Sequence, residues 1–381
     1  MRSTIIFIVM DSLKQKIIKT VRERGPMTFE QFMEAALYDA EFGYYMSGAP
    51  RIGREGDFFT GSHLHPAFGA MIGRQIEEMW TLMGKPGRFT VVEPGPGEGR
   101  ICKDMLNSLK DRKFFNALSC FLVERTPSMK ERQEAMLAGF REKVTWYSSL
   151  EDVGTVTGCV FSNELIDAFP VHLVVMEDSM KEVYIGLQDD GLRELTGPLS
   201  VRELVKYFAE RGLALTKGYR TEVNLRAKEW LHSVSERLKE GFVLTIDYGY
   251  AARDYFSGER DRGTIMCYYK HRLNEDPLEH IGEQDITAHV NFSDLHLWGK
   301  ETGLSTAGFT SQGAFLMSLG IHEEMEKIAA ARKDYVFELA RIKRLIMPGG
   351  MGESHMVMAQ YKGKGNPELK GFSIRNSIRH L

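Results

Sequence analysis

The chain has 381 residues, 43% hydrophobic and 27% charged, enough to bury a sizeable core in one elaborated domain or two modest ones. Lys+Arg 49 against Asp+Glu 52 leaves a formal charge of -3, so no global basic field exists to hold a polyanion, and nucleic acid is not an expected partner. Cys102, Cys120, Cys159 and Cys267 form no CxxC pair, which argues against a zinc site and a disulfide framework alike. A reducing compartment follows as the expectation, and with it a cytoplasmic location. The apolar run 5–10 is shorter than a signal segment and reads as a frayed start, with Met10 an alternative initiator. No apolar stretch reaches the roughly 18 residues a membrane-spanning helix needs.

Residues 11–45 have helical spacing, interrupted by Gly25-Pro26, with Leu13, Ile17, Ile18 and Val21 on one face. Residues 43–61 have a glycine-rich, aromatic loop composition, and 66–83 return to helical spacing. Residues 1–85 therefore form an expected helical and loop layer, whose exposed parts could support a homodimer. The rhythm then changes to strand 89–93, a glycine turn, a helix through Ile101, Met105 and Leu109, strand 119–124, a helix from Pro127, strand 144–147 and strand 158–163. This alternation predicts parallel strands with right-handed crossovers, in segments 86–172 and 240–362. The fifth strand, 241–248, arrives late, after a hairpin and helices in 173–239 that read as an inserted substrate cap. Further elements are expected at 264–269, 292–302, 305–310, 314–347 and 356–361. The polar, basic stretch 363–381 reads as a mobile tail.

The strongest local signal is Glu93-Pro94-Gly95-Pro96-Gly97-Glu98-Gly99. Glycines at a strand-to-helix turn let backbone approach a ligand closely, and the helix N-terminus behind them offers free N–H groups. The dinucleotide fingerprint would need glycine where Arg100 stands, which disfavours a nicotinamide-dependent oxidoreductase. The spacing acidic-x-Gly-x-Gly-x-Gly instead suits S-adenosyl-L-methionine, which has no pyrophosphate and carries a cationic amino group. Glu124 closes the second strand, where a carboxylate can accept hydrogen bonds from both ribose hydroxyls. The plainer alternative is a tight turn followed by a solvated glutamate.

The fourth strand ends in Asn163-Glu164-Leu165-Ile166-Asp167-Ala168-Phe169-Pro170. Polar groups at such a strand end point into the ligand crevice of an open α/β sheet. Asn163 could orient a nucleophile or the methionine part, and Glu164 and Asp167 could pair with a cationic nucleophile or take its proton. Alternatively, Asn163 caps the next helix and the two acids are first-turn carboxylates. Asp285, Thr287 and His289 alternate and would share one side of an extended segment, facing the substrate, unless His289 is simply a hydrogen-bonded buried histidine. No metal site is expected.

Six ordered blocks carry a wider resemblance: Tyr38-Asp39 with Gly43-Tyr44-Tyr45, Gly56-Asp57-Phe58-Phe59-Thr60, the glycine turn, residues 163–170, Asp247-Tyr248-Gly249, and residues 285–292. Over about residues 32–361 the chain resembles the MidA family of S-adenosylmethionine-dependent methyltransferases, relatives of the mitochondrial complex I assembly factor that methylates an arginine of a complex I subunit. The resemblance implies a Rossmann-like class I methyltransferase sheet with helical additions. It places Gly95, Gly97 and Glu124 at the cofactor, and residues 56–60, with Asp57 and Thr60, in the cleft wall. One block departs from the pattern: after Thr60 the family usually reads Ala-Pro-Glu-Ile-Ser-Gln, whereas Gly61-Ser62-His63-Leu64-His65-Pro66 stand here. If the displaced carboxylate meets a guanidinium, His63 weakens an arginine acceptor; if it caps a helix, His63 is surface drift.

Methyl transfer from a sulfonium is an in-line displacement that needs positioning and, for some acceptors, a proton acceptor. The absence of a Gly-x-Ser-x-Gly elbow is consistent with that requirement. The expected activity is protein-arginine methylation of the complex I assembly type. A small-molecule O- or N-methyltransferase and a non-catalytic assembly factor stand as alternatives.

Overall fold

The computed structural model describes residues 12–46, 65–189, 191–331 and 335–381. The chain divides into two compact units, one of residues 1–49, 170–223 and 261–287 and the other of 50–169, 224–260 and 288–381.

The second unit is built on strands β1 (Phe89–Pro94), β2 (Leu118–Val123), β3 (Val144–Tyr147), β4 (Val156–Asn163), β5 (Leu238–Tyr250), β6 (Ser305–Ser311) and β7 (His355–Lys362), in the spatial order β3-β2-β1-β4-β5-β7-β6. Neighbours from β3 to β5 are parallel, and β7 runs antiparallel to both β5 and β6. The two-residue strand Val290–Asn291 pairs with the end of β5. β1 and β4 are buried along nearly their whole length, as expected of parallel strands covered on both faces. Helices Ala67–Leu82 and Arg100–Leu109 bury Phe68, Met71, Ile76, Met105 and Leu106 in the same core cluster as Phe89, Phe161 and Phe242. Gly158 in β4 allows close passage of β1, since a Cβ there would lie 2.0 Å from the Thr90 carbonyl oxygen.

The first unit joins helices Leu13–Arg24 and Phe29–Tyr38 to antiparallel strands His172–Met176, Met180–Gln188, Gly191–Gly197 and Arg220–Val223. The short strand Met27–Thr28 pairs with Tyr184 and Ile185, tying the N-terminal helices to the hairpin. Thr28 also starts the second helix with a capping box: its hydroxyl accepts the Gln31 N–H, and the Gln31 side chain accepts the Thr28 N–H. A separate three-stranded sheet holds Met266–Tyr269, Arg272–Asn274 and Asp285–Thr287.

These divisions differ from the expected ones. Helix Ala67–Leu82 belongs with the large sheet because its apolar face completes that core, and helix Leu225–Arg237 falls in the same unit. The expected run of helices after the hairpin in 173–239 gives way at Arg220–Val223, whose edge completes the hairpin sheet. Residues 363–381 do not stream away as their polarity suggests. Leu369 and Phe372 are buried in the large core, and the Gly371 N–H donates to Gln75 Oε1 at 3.0 Å. Two apolar side chains among polar neighbours suffice to dock a segment when a cavity receives them.

Candidate active site

The strand order reverses between β1 and β4, and in an open α/β sheet the ligand crevice opens at that point, outside the carboxyl ends of the strands. Glu93, near the end of β1, is only 4% exposed. No hydrogen bond to its carboxyl occurs among the described residues, and burial pushes its pKa up to about 8. The next residues turn sharply: Gly95, Gly97 and Gly99 have φ of 63°, 54° and 78°, conformations costly to any other residue type. The Gly95 N–H donates to the Val123 carbonyl at 3.0 Å, and a Cβ on Gly95 would lie 2.8 Å from Leu165 Cδ1. Helix Arg100–Leu109 starts directly behind this cradle.

Glu124 follows β2, with its N–H bonded to the Tyr147 carbonyl at 2.9 Å. Its Oε1 accepts the Thr126 N–H at 2.8 Å, and its Oε2 accepts from Gln133 Nε2 at 2.9 Å. Each oxygen keeps a further lone pair for a ligand hydroxyl.

At the end of β4, Glu164 adopts φ 48°, unusual for a residue with a side chain, and its N–H donates to the Ile246 carbonyl at 2.9 Å. Asn163 Nδ2 donates to Glu164 Oε1 at 3.3 Å, while Asn163 Oδ1 is buried with no hydrogen-bond partner among the described residues. Asp247, at the end of β5, holds this turn. Its Oδ2 accepts the N–H groups of Leu165, Ile166 and Asp167 at 3.2, 2.9 and 3.4 Å, and its Oδ1 accepts that of Tyr248 at 2.9 Å. Burial, aided by the nearby Glu164 charge, pushes Asp247 up to about 7 against the pull of those donors.

His355 opens β7, fully buried, with its ring centroid 3.8 Å from that of Tyr248. Its Nε2 lies 3.5 Å from Glu164 Oε1, within ion-pair range but outside hydrogen-bond geometry. The Ala288 N–H donates to the Asp167 carbonyl at 2.9 Å, which brings the chain before His289 to the same turn. His289 stacks parallel to Tyr248 at 6.2 Å between centroids. Burial, with the Arg260 and His355 charges, pushes His289 down to about 4, so it is neutral at physiological pH.

The structure thus brings Asn163, Glu164, Asp167 and His289 to one region of the second unit. It does not extend the Asp285, Thr287, His289 row. The strand stops at Thr287, and Asp285 instead accepts the Tyr45 hydroxyl at 2.8 Å within the first unit. Asp57, Thr60 and His63 lie outside the described residues. Sequence reasoning gave no role to Asp247, His355 or Gln133. A carboxylate closing a strand in Asp247-Tyr248-Gly249 was the available signal for the first, whereas nothing local marks the other two.

The sheet order, with its single reversed strand β7, and polar groups at the ends of β1, β2 and β4 define a class I methyltransferase fold. The family described as S-adenosyl-L-methionine-dependent methyltransferase matches residues 71–310, and the chain belongs to it. Among its relatives are the mitochondrial protein arginine methyltransferase NDUFAF7 homolog of Drosophila melanogaster, 28% identical over 92% of this chain and 84% of the relative, and NDUFAF7 of Xenopus tropicalis, 27% identical over 85% and 79%. The crystal structure of a COG1565 superfamily member from Burkholderia thailandensis bound to S-adenosyl-homocysteine superposes with a TM-score of 0.90, at 29% identity, over 97% of this chain and 96% of that one.

The chain is an S-adenosylmethionine-dependent methyltransferase, and its own residues fit that cofactor. The left-handed turn brings backbone N–H groups to the helix start, Asn163 Oδ1 is a buried acceptor without a hydrogen-bond partner among the described residues, and Glu93 is a buried carboxyl, a donor set whose chemistry suits a ligand with a cationic amino group. The expected cytoplasmic location needs correcting. The curated relatives are named as mitochondrial proteins, and free cysteines indicate only a reducing milieu, which does not single out the cytoplasm.

Proposed function

We propose that the acceptor is an arginine guanidinium of a partner protein, in a reaction of the complex I assembly type. The observation behind this reading is Glu164, a mostly buried carboxylate in a left-handed conformation at the topological switch point, held there by the β5 backbone and Asn163. Bound S-adenosylmethionine supplies an electrophilic methyl group. A guanidinium is protonated at all physiological pH values, so its attacking nitrogen must shed a proton as the bond forms. Glu164 would accept the guanidinium N–H groups, align one nitrogen and take that proton, with Asp167 the second acid of the turn. Neutral His289 adds no competing positive charge. The names of the relatives from Drosophila melanogaster and Xenopus tropicalis support the same acceptor class. In this reading Glu93, Gly95, Gly97, Gly99, Glu124 and Asn163 hold the cofactor.

The test is to incubate the purified protein with methyl-labelled cofactor and mitochondrial extract, then hydrolyse the labelled product and analyse it by mass spectrometry. Labelled methylarginine is expected. Glu164→Gln should lower turnover at least about a hundredfold, with little change in S-adenosylhomocysteine affinity. Label recovered only in a small molecule or a methyl ester would overturn the acceptor assignment.

A further inference from the structure

Helix Pro127–Met136 buries only one side chain, and that residue is polar: Gln133, at 0% exposure. A buried carboxamide is costly unless its hydrogen bonds are made, and here they are. Nε2 donates to the Gly97 carbonyl at 2.7 Å and to Glu124 Oε2 at 2.9 Å, while Oε1 accepts from Trp146 Nε1 at 3.1 Å. The amide orientation is dictated by these neighbours. An indole N–H can only donate, and a backbone carbonyl and a carboxylate can only accept from an amide, so the reverse orientation would break all three bonds.

We propose that Gln133 is a positioning residue of the cofactor site, its two amide N–H groups fixing the glycine turn after β1 to the carboxylate after β2, with Trp146 locking the amide. The turn and the carboxylate arrive from successive β-α units and have no covalent reason to keep a set separation. The Gly95 to Val123 backbone bond ties only the start of the turn, and Gln133 extends the constraint to Gly97 and the Glu124 carboxylate through one rigid planar group. A glutamate of the same length would set a carboxylate against the Gly97 carbonyl and Glu124. Asparagine would be a methylene short, and methionine would fill the space without donating. The proposal concerns the cofactor site alone and is independent of the methyl acceptor.

Titration calorimetry separates positioning from general damage. Wild type, Gln133→Glu, Gln133→Met and Trp146→Phe are each titrated with S-adenosylhomocysteine and with its analogue lacking both ribose hydroxyls, after circular dichroism has checked the fold. Both Gln133 variants are expected to lose about tenfold or more in affinity for S-adenosylhomocysteine, the effect of removing hydrogen bonds to a charged group. They should lose at least about fivefold less for the analogue, which cannot use the carboxylate that Gln133 positions. Trp146→Phe, which leaves both N–H bonds in place but frees the amide to rotate, should show the same ligand-dependent pattern at smaller amplitude. Equal losses for the two ligands, or no loss with either, would overturn the proposal. Should a Gln133 variant fail to fold, the remaining variants decide by the same comparison.

Discussion

Glu93→Gln isolates the buried carboxyl beside the glycine turn and gives a signed expectation. Burial raises this group from its ordinary 4.5 to about 8 in the folded protein. Below pH 4.5 the folded and unfolded chains both hold the proton. Between pH 4.5 and 8 only the folded chain holds it, so stability falls as pH rises, by about 1.4 kcal/mol per unit. Across the whole window the loss is on the order of 4–5 kcal/mol. The glutamine variant has nothing to titrate there and lacks this slope. It should therefore match wild type near pH 5 and exceed it by several kcal/mol near pH 8, on the order the linkage gives. Urea unfolding followed by circular dichroism at pH 5, 6, 7 and 8 measures the difference, and Asp247, common to both chains, cancels in it. Curves that stay parallel from pH 5 to 8 would refute the buried, protonated state of Glu93. A second consequence concerns binding: a cationic amino group should favour the ionised carboxylate and expel its proton. Calorimetry at pH 7 in two buffers of different ionisation enthalpy should then show proton release by wild type that is absent from the variant.

Asp247→Asn should leave one of four backbone N–H donors facing an amide N–H, costing about 1–3 kcal/mol in urea unfolding, and should also reduce turnover; an unchanged midpoint would show that Asp247 does not hold the 164–167 turn. Glu124→Ala should weaken S-adenosylhomocysteine binding by about 1–3 kcal/mol, measured by calorimetry, and a loss well below that would exclude Glu124 from the ribose end of the site. Gly158→Ala would put a methyl group 2.0 Å from the Thr90 carbonyl and should destabilise the sheet by at least about 1–3 kcal/mol, read as a lowered thermal midpoint. An unshifted midpoint would mean that β1 and β4 separate freely.

The strand, glycine turn and helix start at 89–105 were legible because their conformation is local. A β-branched strand, three glycines and a helix start lie within residues 89–105, and left-handed φ at Gly95, Gly97 and Gly99 is a property that the residue type itself announces. Glu124 was equally readable as the close of the next strand. The parallel alternation up to β4 followed from hydrophobic periodicity, which registers burial on both faces. Tertiary structure alone decided what depends on residues distant in the chain. Gln133 looks like any polar helix residue until the fold sets Gly97, Glu124 and Trp146 around its amide. His355 reaches Glu164 only because β7 runs antiparallel beside β5, a pairing of segments more than a hundred residues apart. Polar composition suggested a mobile end to the chain, yet Leu369 and Phe372 are held in the core. Periodicity records which side of an element is buried, but not against what, and a polar side chain's role is set by the partner that the fold brings to it.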